Sequence, residues 1–202
     1  MLVDRRGHLL YIISAERKRG EKRMKWLIGS DIHGSAYYCR RLVETFEKEG
    51  AERLLLLGDV LYHGPRNDLP RDYSPRETAA LLNTLASRAL GVRGNCDAEI
   101  DQAMLSFPMM AEYAVICEGG RTVFATHGHV YNLDCLPPLR PGDVLLHGHT
   151  HVQARTEKDG IVYLNPGSAA IAKAGSRRAC MTLENGLFRW IDLDSGEEFD
   201  RY

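Results

Sequence analysis

The segment Ser30-Asp31-Ile32-His33-Gly34 is the one around which the other motifs of the chain can be arranged. It follows the short run Trp26-Leu27-Ile28, and apolar runs of this length between turn residues are typical of buried strands. Asp31 and His33 are therefore expected at the C-terminal end of a strand, where open α/β sheets bind their ligands. Alone, the segment is ambiguous, because Asp31 could equally cap a helix and His33 could lie on the surface.

The composition predicts one domain with a substantial core. The chain has 202 residues, 44% hydrophobic and 26% charged, which is ordinary for a soluble globular protein. A formal net charge of -1 gives no overall field that favours nucleic acid or a membrane, and the apolar runs are far too short to cross a bilayer. The five cysteines are scattered without a CxxC pair, so we expect reduced thiols and a cytoplasmic location.

The first 23 residues form a basic segment with seven Lys or Arg against three acidic residues. Its apolar run Leu9 to Ile13 is too short for the core of a signal peptide. We expect an N-terminal extension over residues 1–23 and one domain over residues 24–202, because the regular strand pattern begins at Met24. The alternatives are that the segment supplies an extra strand or helix, or contacts an acidic partner.

Strands and helices alternate in the first half of the chain, whereas hairpins dominate the second half. A helix is predicted from Ser35 to about Glu49, and buried strands at Arg53 to Leu57 and Leu90 to Val92. A short helix after Asp97 is expected to turn Ile100, Met104 and Phe107 inward. In the second half, Val152 to Thr156 is expected to pair with Ile161 to Leu164, and Asn185-Gly186 is a strong hairpin signal. Two stacked sheets covered by helices would bury all of these strands.

Polar side chains follow five of the predicted strands or turns. Pairs two residues apart, such as Asp31 and His33, would point to one side of an extended backbone. Each segment alone would more often be structural, but five after β-like runs are hard to explain in that way. Together they offer seven potential metal ligands: Asp31, His33, Asp59, Asn95, His127, His149 and His151.

The chemistry of this set indicates two divalent cations. Carboxylate and amide oxygens mixed with imidazoles suit Mn²⁺, Fe²⁺ or Zn²⁺, and the lack of thiolates argues against a structural zinc site. Seven ligands are too many for one tetrahedral ion, and a bridging carboxylate would hold two ions roughly 3.5–4 Å apart. Such a pair would polarise phosphoryl oxygens and lower the pKa of a bridging water, whose hydroxide could attack phosphorus in line.

A long polar segment from Tyr62 to Tyr73 is a candidate for substrate binding, because loops of this length without secondary structure are often functional. Its residues His63, Arg66 and Asn67 could reach over the site and hold an anion. A purely solvated loop is an equally good interpretation.

The order of the motifs resembles the calcineurin-like metallophosphoesterase superfamily, whose pattern is D-x-H, G-D, G-N, H and G-H-x-H. The matching residues are Asp31-Ile32-His33, Gly58-Asp59, Gly94-Asn95, His127 and Gly148-His149-Thr150-His151. The resemblance covers Met24 to about Leu193. The chain is similar in particular to the small YfcE-like bacterial phosphodiesterases, which have a like stretch at His63 to Asn67 and at Gly94 to Asp97.

The resemblance implies a four-layer α/β/β/α sandwich with two mixed β-sheets and hydrolysis of phosphodiester bonds. It implies one ion at Asp31, His33 and His151, another at Asn95, His127 and His149, and Asp59 as the bridge. Mn²⁺ is the first candidate, with Fe, Zn, Ni and Mg as alternatives. The residues expected to take part in catalysis are Asp59, Asn95, Cys96 and His127.

Cys96 departs from the wider superfamily, many members of which have a histidine at this position to assist the leaving group. A neutral thiol is a poor general acid for an alkoxide. We therefore expect better activity on diesters with good leaving groups than on monoesters of alkyl alcohols.

Other functions compatible with the resemblance are a non-catalytic interaction module, like the retromer subunit of the same fold with its degraded metal site, a phosphomonoesterase, or a nuclease. The complete ligand set favours an enzyme, and no basic stripe beyond the first 23 residues favours nucleic acid. The expected partner is a small-molecule phosphodiester, and the chain could form a homodimer or homotetramer.

Overall fold

The computed structural model describes residues 2–3, 9–14, 24–118 and 120–202. The strands are β1 (Leu2–Val3), β2 (Leu9–Ser14), β3 (Trp26–Gly29), β4 (Arg53–Leu56), β5 (Ala89–Gly91), β6 (Tyr113–Glu118), β7 (Arg121–Thr126), β8 (Val144–Leu146), β9 (Ala154–Lys158), β10 (Ile161–Asn165), β11 (Ala179–Glu184), β12 (Leu187–Asp192) and β13 (Glu198–Arg201). The helices are α1 (Ala36–Lys48), α2 (Pro75–Asn83) and α3 (Glu99–Met104), with a 3₁₀ turn at Ala86–Arg88.

Two mixed sheets form the body of the fold. The six-stranded sheet has the order β13-β12-β11-β3-β4-β5, in which β3, β4 and β5 are parallel and the other neighbours are antiparallel. The seven-stranded sheet has the order β1-β2-β6-β7-β8-β10-β9, and β7, β8 and β10 run parallel in it. The predicted fold class, an α/β fold with two mixed sheets and helices, is confirmed.

The core between the two sheets is built from the inward faces of short apolar strands. Trp26 and Ile28 from β3 meet Val123 of β7 and Val144 of β8 there, all fully or almost fully buried. On the other face of the six-stranded sheet, the apolar stripe of α1 joins a second core. This helix begins at the predicted cap, where the Ser35 hydroxyl accepts a hydrogen bond from the Tyr38 backbone N–H at 3.3 Å.

An irregular segment covers the outer face of the seven-stranded sheet. Phe124, Leu145 and Tyr163 point away from the core between the sheets, and Tyr131 and Leu139 pack against them. Residues 127–143, which supply this cover, contain no helix. The layer on this side of the fold is therefore a loop held by aromatic packing.

The N-terminal strands correct the expectation that the fold begins at Met24. β2 pairs in parallel with β6, and β1 pairs with β2, so both join the seven-stranded sheet. Without β2, β6 would be an edge strand with unpaired backbone groups, which favours addition of a strand. This agrees with the alternative of an extra strand; residues 1, 4–8 and 15–23 of the predicted extension lie outside the described residues.

Two local expectations are wrong. Strand β9 starts two residues later than predicted, because Ala154 pairs with Asn165 at the end of β10, and the next residues there are Pro166, which has no N–H, and Gly167, whose φ is +81°. Ile100 and Met104 do not turn inward, being 69% and 40% exposed. Phe107 is buried, as expected, but it lies beyond the six residues of α3, beside the buried Leu105. Among the described residues, no helix is long and apolar enough to span a membrane.

The two tryptophans of the inter-sheet core provide a test of hydrogen bonding. The Trp190 indole N–H donates to the backbone oxygen of Asn165 at 2.8 Å, whereas the Trp26 N–H has no hydrogen-bond partner among the described residues. We expect Trp190→Phe to lower the free energy of unfolding by about 1–2 kcal/mol more than the matched Trp26→Phe, because it leaves a buried carbonyl unpaired. Urea unfolding measures both, and equal losses would contradict the expectation.

Candidate metal centre

The predicted ligands lie where strands of both sheets end. They are Asp31 and His33 after β3, Asp59 after β4, Asn95 after β5, His127 after β7, and His149 and His151 after β8. Backbone hydrogen bonds tie these turns together, from the Asp31 N–H to Gly58 at 3.1 Å and from the Gly148 N–H to His127 at 2.9 Å. The structure thus brings all seven residues to one place.

One group of ligands surrounds the Asp31 carboxylate. Its Oδ1 lies 3.3 Å from Nε2 of His151 and 3.6 Å from Nε2 of His33, and these two nitrogens are 3.2 Å apart. The three side chains are almost completely buried. Their ligand atoms lie within reach of a single cation.

A second group surrounds His127. Its Nε2 lies 3.4 Å from Oδ2 of Asp59, 3.1 Å from Oδ1 of Asn95 and 3.2 Å from Nδ1 of His149. Oδ2 of Asp59 also lies 3.8 Å from Nε2 of His33. Asp59 is therefore the residue that touches both groups.

Backbone carbonyls fix the tautomer of three of these histidines. Nδ1 of His33 donates to the Tyr62 carbonyl oxygen at 2.8 Å. Nδ1 of His127 donates to the Leu57 carbonyl oxygen at 2.7 Å, and Nδ1 of His151 donates to that of Ile171 at 2.6 Å. A carbonyl can only accept, so Nδ1 carries the proton and Nε2 keeps its lone pair in the neutral ring. Histidine ligands of metals are oriented by their second nitrogen in this way.

This donor set fits divalent cations. The unprotonated Nε2 atoms of His33 and His151 face each other, and that of His127 faces the amide oxygen of Asn95. Oδ1 of Asp31 is buried with no hydrogen-bond donor among the described residues. Converging acceptors without protons are unfavourable in a buried site unless a cation lies between them.

The charges of the cluster lead to the same conclusion. Burial disfavours a protonated His127, but its contact with Asp59 and the charge of Asp31 outweigh burial and raise the pKa of His127 to about 9. Burial also disfavours ionised Asp31, yet contacts with His151 and His33 hold the pKa of that carboxyl well below its usual value. The raised pKa of His127 and the lowered pKa of Asp31 have the same cause: buried carboxylates favour positive charge at the nitrogens that face them. Protons and metal ions compete for such lone pairs.

Five of the seven ligands adopt left-handed backbone conformations. Their φ angles are +55° at Asp31, +49° at His33, +54° at Asp59, +67° at His149 and +61° at His151. The expectation of an extended backbone at the paired ligands is therefore wrong. A non-glycine residue in this region costs roughly 1–2 kcal/mol, and such strain is concentrated at functional sites.

Asp97 holds two ligand turns together and was not singled out by the sequence. Its buried carboxylate accepts hydrogen bonds from the backbone N–H groups of Asp59, Val60 and Gly94 at 2.8, 2.9 and 2.7 Å. Gly94 allows the close approach, because a Cβ at this position would overlap the Asp59 carboxylate. The only sequence signal was its place at the end of Gly94-Asn95-Cys96-Asp97.

Further contacts that position the ligands could not be foreseen from the motifs. The second oxygen of Asp31 accepts from the Ser30 hydroxyl and from the His149 backbone N–H at 3.0 Å, which leaves Oδ1 for a cation. The Asn165 amide donates to the Gly148 carbonyl at 2.8 Å and supports the turn that carries His149. Composition marked Asn165 as a turn residue only.

A cleft of about 340 Å³ opens over the ligands, and we call it the metal-ligand cleft. Arg66 and Asn67 line its wall, as does Lys173, which no sequence motif marked. His63 is not among the lining residues: its ring packs between Tyr62 and Tyr73 at centroid distances of 4.8 and 5.2 Å. The side chains of Arg66, Lys173 and Asn67 are therefore placed to contact an anion in the cleft, whereas His63 lies outside the lining.

Comparison with known proteins assigns the chain to a family. The model of the calcineurin-like phosphoesterase superfamily domain matches residues 24–186. The chain belongs to this superfamily. Phosphodiesterase YfcE of Escherichia coli K12 is 42% identical over 171 residues, which cover 85% of this chain and 93% of YfcE.

Two solved structures extend the comparison. The structure of the E. coli phosphoesterase YfcE matches with a TM-score of 0.85 at 40% identity and covers 89% of this chain and 98% of YfcE. Vacuolar Protein Sorting 29 from Cryptosporidium parvum matches with a TM-score of 0.56 at 21% identity, covering 90% of this chain and 99% of its own. The second likeness shows the shared fold alone. The predicted family is confirmed.

The role of Asp97 can be tested against a matched buried carboxylate. Asp143 accepts from the backbone N–H groups of Thr122 and Arg140 at 2.8 and 2.9 Å and is not among the residues of the metal centre. We expect Asp97→Asn to weaken Mn²⁺ binding by about 10–100-fold, because residues behind the ligands have effects of this size. Asp143→Asn should lower the melting temperature without changing Mn²⁺ affinity. Calorimetric titration of metal-stripped protein measures the affinity, and unchanged Mn²⁺ binding by Asp97→Asn would rule the role out.

Proposed function

We propose that this chain is a metal-dependent phosphodiesterase whose site holds two divalent cations. The observation that carries the proposal is the convergence of two ligand groups on Asp59, with their lone pairs left free for cations. The 42% identity to a protein named phosphodiesterase YfcE supports the same activity for this chain. Mn²⁺ is the first candidate, followed by Fe, Zn, Ni and Mg, because all the donors are imidazoles and hard oxygens.

The distances support the ligand assignment. Asp31, His33 and His151 would hold one cation, and the other would be held by Asn95, His127 and His149, with Asp59 as the bridge. Bound there, two cations would polarise the phosphoryl oxygens and lower the pKa of a water between them to make a nucleophile. The carbonyl-bound Nδ1 atoms keep the imidazoles oriented for this role.

Side chains of the cleft wall would bind the remaining charge of the substrate. Arg66 and Lys173 line the cleft, although they are far apart in the sequence. Their positive charges favour an anionic ligand such as a phosphodiester. Asn67 is held by its own amide, which donates to the backbone oxygen of His63 at 2.8 Å. His63 then acts as a support for the loop.

Cys96 would not act as an efficient acid for the leaving group. Its backbone N–H donates to Asp59 at 2.8 Å, so the thiol lies beside the proposed bridging carboxylate. Burial, together with the charge of Asp59, raises the pKa of the Cys96 thiol to about 12. A thiol that holds its proton so firmly favours substrates whose leaving groups need no protonation.

The substrate class follows from the same features. A small-molecule phosphodiester fits the cleft, and no basic stripe among the described residues recommends a nucleic acid. A non-catalytic interaction module is disfavoured because the ligand set is complete. Cytoplasmic location and assembly as a homodimer or homotetramer stay predictions from the sequence.

The first test compares hydrolysis of bis-p-nitrophenyl phosphate with that of p-nitrophenyl phosphate. Metal-stripped protein should be inactive, and added Mn²⁺ should restore cleavage of the diester in preference to the monoester. Preferential cleavage of the monoester would overturn the proposed substrate class. Inactivity with every divalent ion, despite binding of two ions, would favour the interaction module.

The bridging role of Asp59 predicts a large loss of activity on substitution. Asp59→Asn should lower the diesterase rate by at least about a hundredfold, since it removes the carboxylate shared by both ligand groups. Asp68→Asn, an exposed residue of the neighbouring loop, is the matched control and should stay near the wild-type rate. Calorimetry should find fewer than two bound Mn²⁺ ions in Asp59→Asn, and retained activity would contradict the two-metal assignment.

Replacing Cys96 tests the leaving-group argument. Cys96→His should raise turnover of diesters with poor leaving groups by about a hundredfold, the lower end of the range for general acid catalysis, and change p-nitrophenyl esters little. Cys96→Ser controls for loss of the thiol. Rates for phenyl and p-nitrophenyl esters give the comparison, and an unchanged or reduced rate for phenyl esters in Cys96→His would count against the argument.

A further inference from the structure

A second depression of about 270 Å³ adjoins the metal-ligand cleft. Its lining is mostly apolar: Leu61, Tyr62, Tyr73, Pro75, Ala98 and Ile100. Tyr62 and Cys96 line both cavities, so the apolar depression adjoins the metal-ligand cleft along these two residues. A ligand anchored at the metal centre can therefore extend into it.

Two polar groups of the apolar depression have partners within the protein. The carboxylate of Asp101, which also lines it, accepts from the Ala98 backbone N–H at 2.8 Å at the start of α3. The Tyr73 hydroxyl lies 3.3 Å from Nδ1 of His63. Ile100, in contrast, is 69% exposed, although it is a large aliphatic side chain. A mostly apolar surface next to a polar cleft favours an apolar ligand group.

The wall between the cavities is held rigidly in place. Tyr62, His63 and Tyr73 form an edge-to-face stack, which we call the aromatic wall. Tyr73 forms a β-bridge with Ser35, and the next residue donates its backbone N–H to Gly34 at 2.8 Å. The aromatic wall is thus attached to the turn that carries His33, and a preformed surface of this kind binds with little loss of conformational entropy.

We propose that the apolar depression binds one ester arm of the phosphodiester substrate, and that this arm is an aryl group or an alkyl chain. The proposal rests on the proposed function, which places the phosphoryl group among the ligands, Arg66 and Lys173. An arm that leaves this position past Cys96 and Tyr62 enters the depression directly. An apolar cavity of about 150 Å³ can hold benzene, so the space is sufficient for an aryl ring.

Binding of two slowly reacting diesters tests the proposal without depending on turnover. Diphenyl phosphate and dimethyl phosphate carry the same charge, and only the first has apolar arms large enough for the depression. In the Mn²⁺-loaded protein, diphenyl phosphate should bind at least about tenfold more tightly, as expected when one aryl ring leaves water. Isothermal titration calorimetry gives both dissociation constants.

Ile100→Asn should remove most of this preference, weakening diphenyl phosphate about fivefold and leaving dimethyl phosphate unchanged. The change adds no charge, and the exposed position keeps the fold intact, which the melting temperature checks. Met104→Gln is the matched control, because Met104 lies on the same helix, is 40% exposed and does not line the depression. It should keep the wild-type preference.

Several results would overturn the subsite: equal affinity of the wild type for the two diesters, an equal weakening of both by Ile100→Asn, or the same loss in Met104→Gln. If the protein hydrolyses bis-p-nitrophenyl phosphate but shows no preference, the subsite alone fails. If it prefers diphenyl phosphate in the Ile100-dependent manner yet hydrolyses no ester, the apolar site stands and the proposed function fails.

Discussion

Three backbone carbonyl oxygens, those of Leu57, Tyr62 and Ile171, determine what the centre of this protein can do. Each accepts the Nδ1 proton of one histidine and turns an unprotonated Nε2 toward the buried carboxylates. Strands of both sheets end near this point, and the segments outside the strands supply both the acceptors and the carbonyls that orient them. An arrangement in which so many lone pairs converge favours positive charge among them, which protons or metal ions can supply.

The architecture and the ligand positions could be predicted because they depend on local patterns. Short apolar runs ending in Asp, Asn or His identify strand ends, and parallel strands bring such ends to one edge. Asp97 and Lys173 could not be found in that way, since their roles depend on contacts between distant loops. The left-handed turns at the ligands were missed for a related reason: their conformation is imposed by tertiary hydrogen bonds and opposes the intrinsic preference of the residues.

The exposure of Ile100 illustrates the limits of periodicity. A six-residue helix has too few turns for its apolar positions to indicate which face is buried, and the core contacts fall to the residues after it. The same helix start uses Asp101 to satisfy its own backbone, so the surface left beside Cys96 is apolar. The polar metal-ligand cleft and the apolar depression thus share two lining residues, Tyr62 and Cys96.

The positive φ angles at Asp31, His33, Asp59, His149 and His151 have an evolutionary consequence. Glycine at any of these positions would remove the backbone strain of roughly a kilocalorie per mole. If the proposed function holds, substitutions that relax the backbone here also remove a metal ligand. Selection for backbone stability and selection for metal binding would then oppose each other at these five residues, and without the second these positions would be expected to change while the sheets persist.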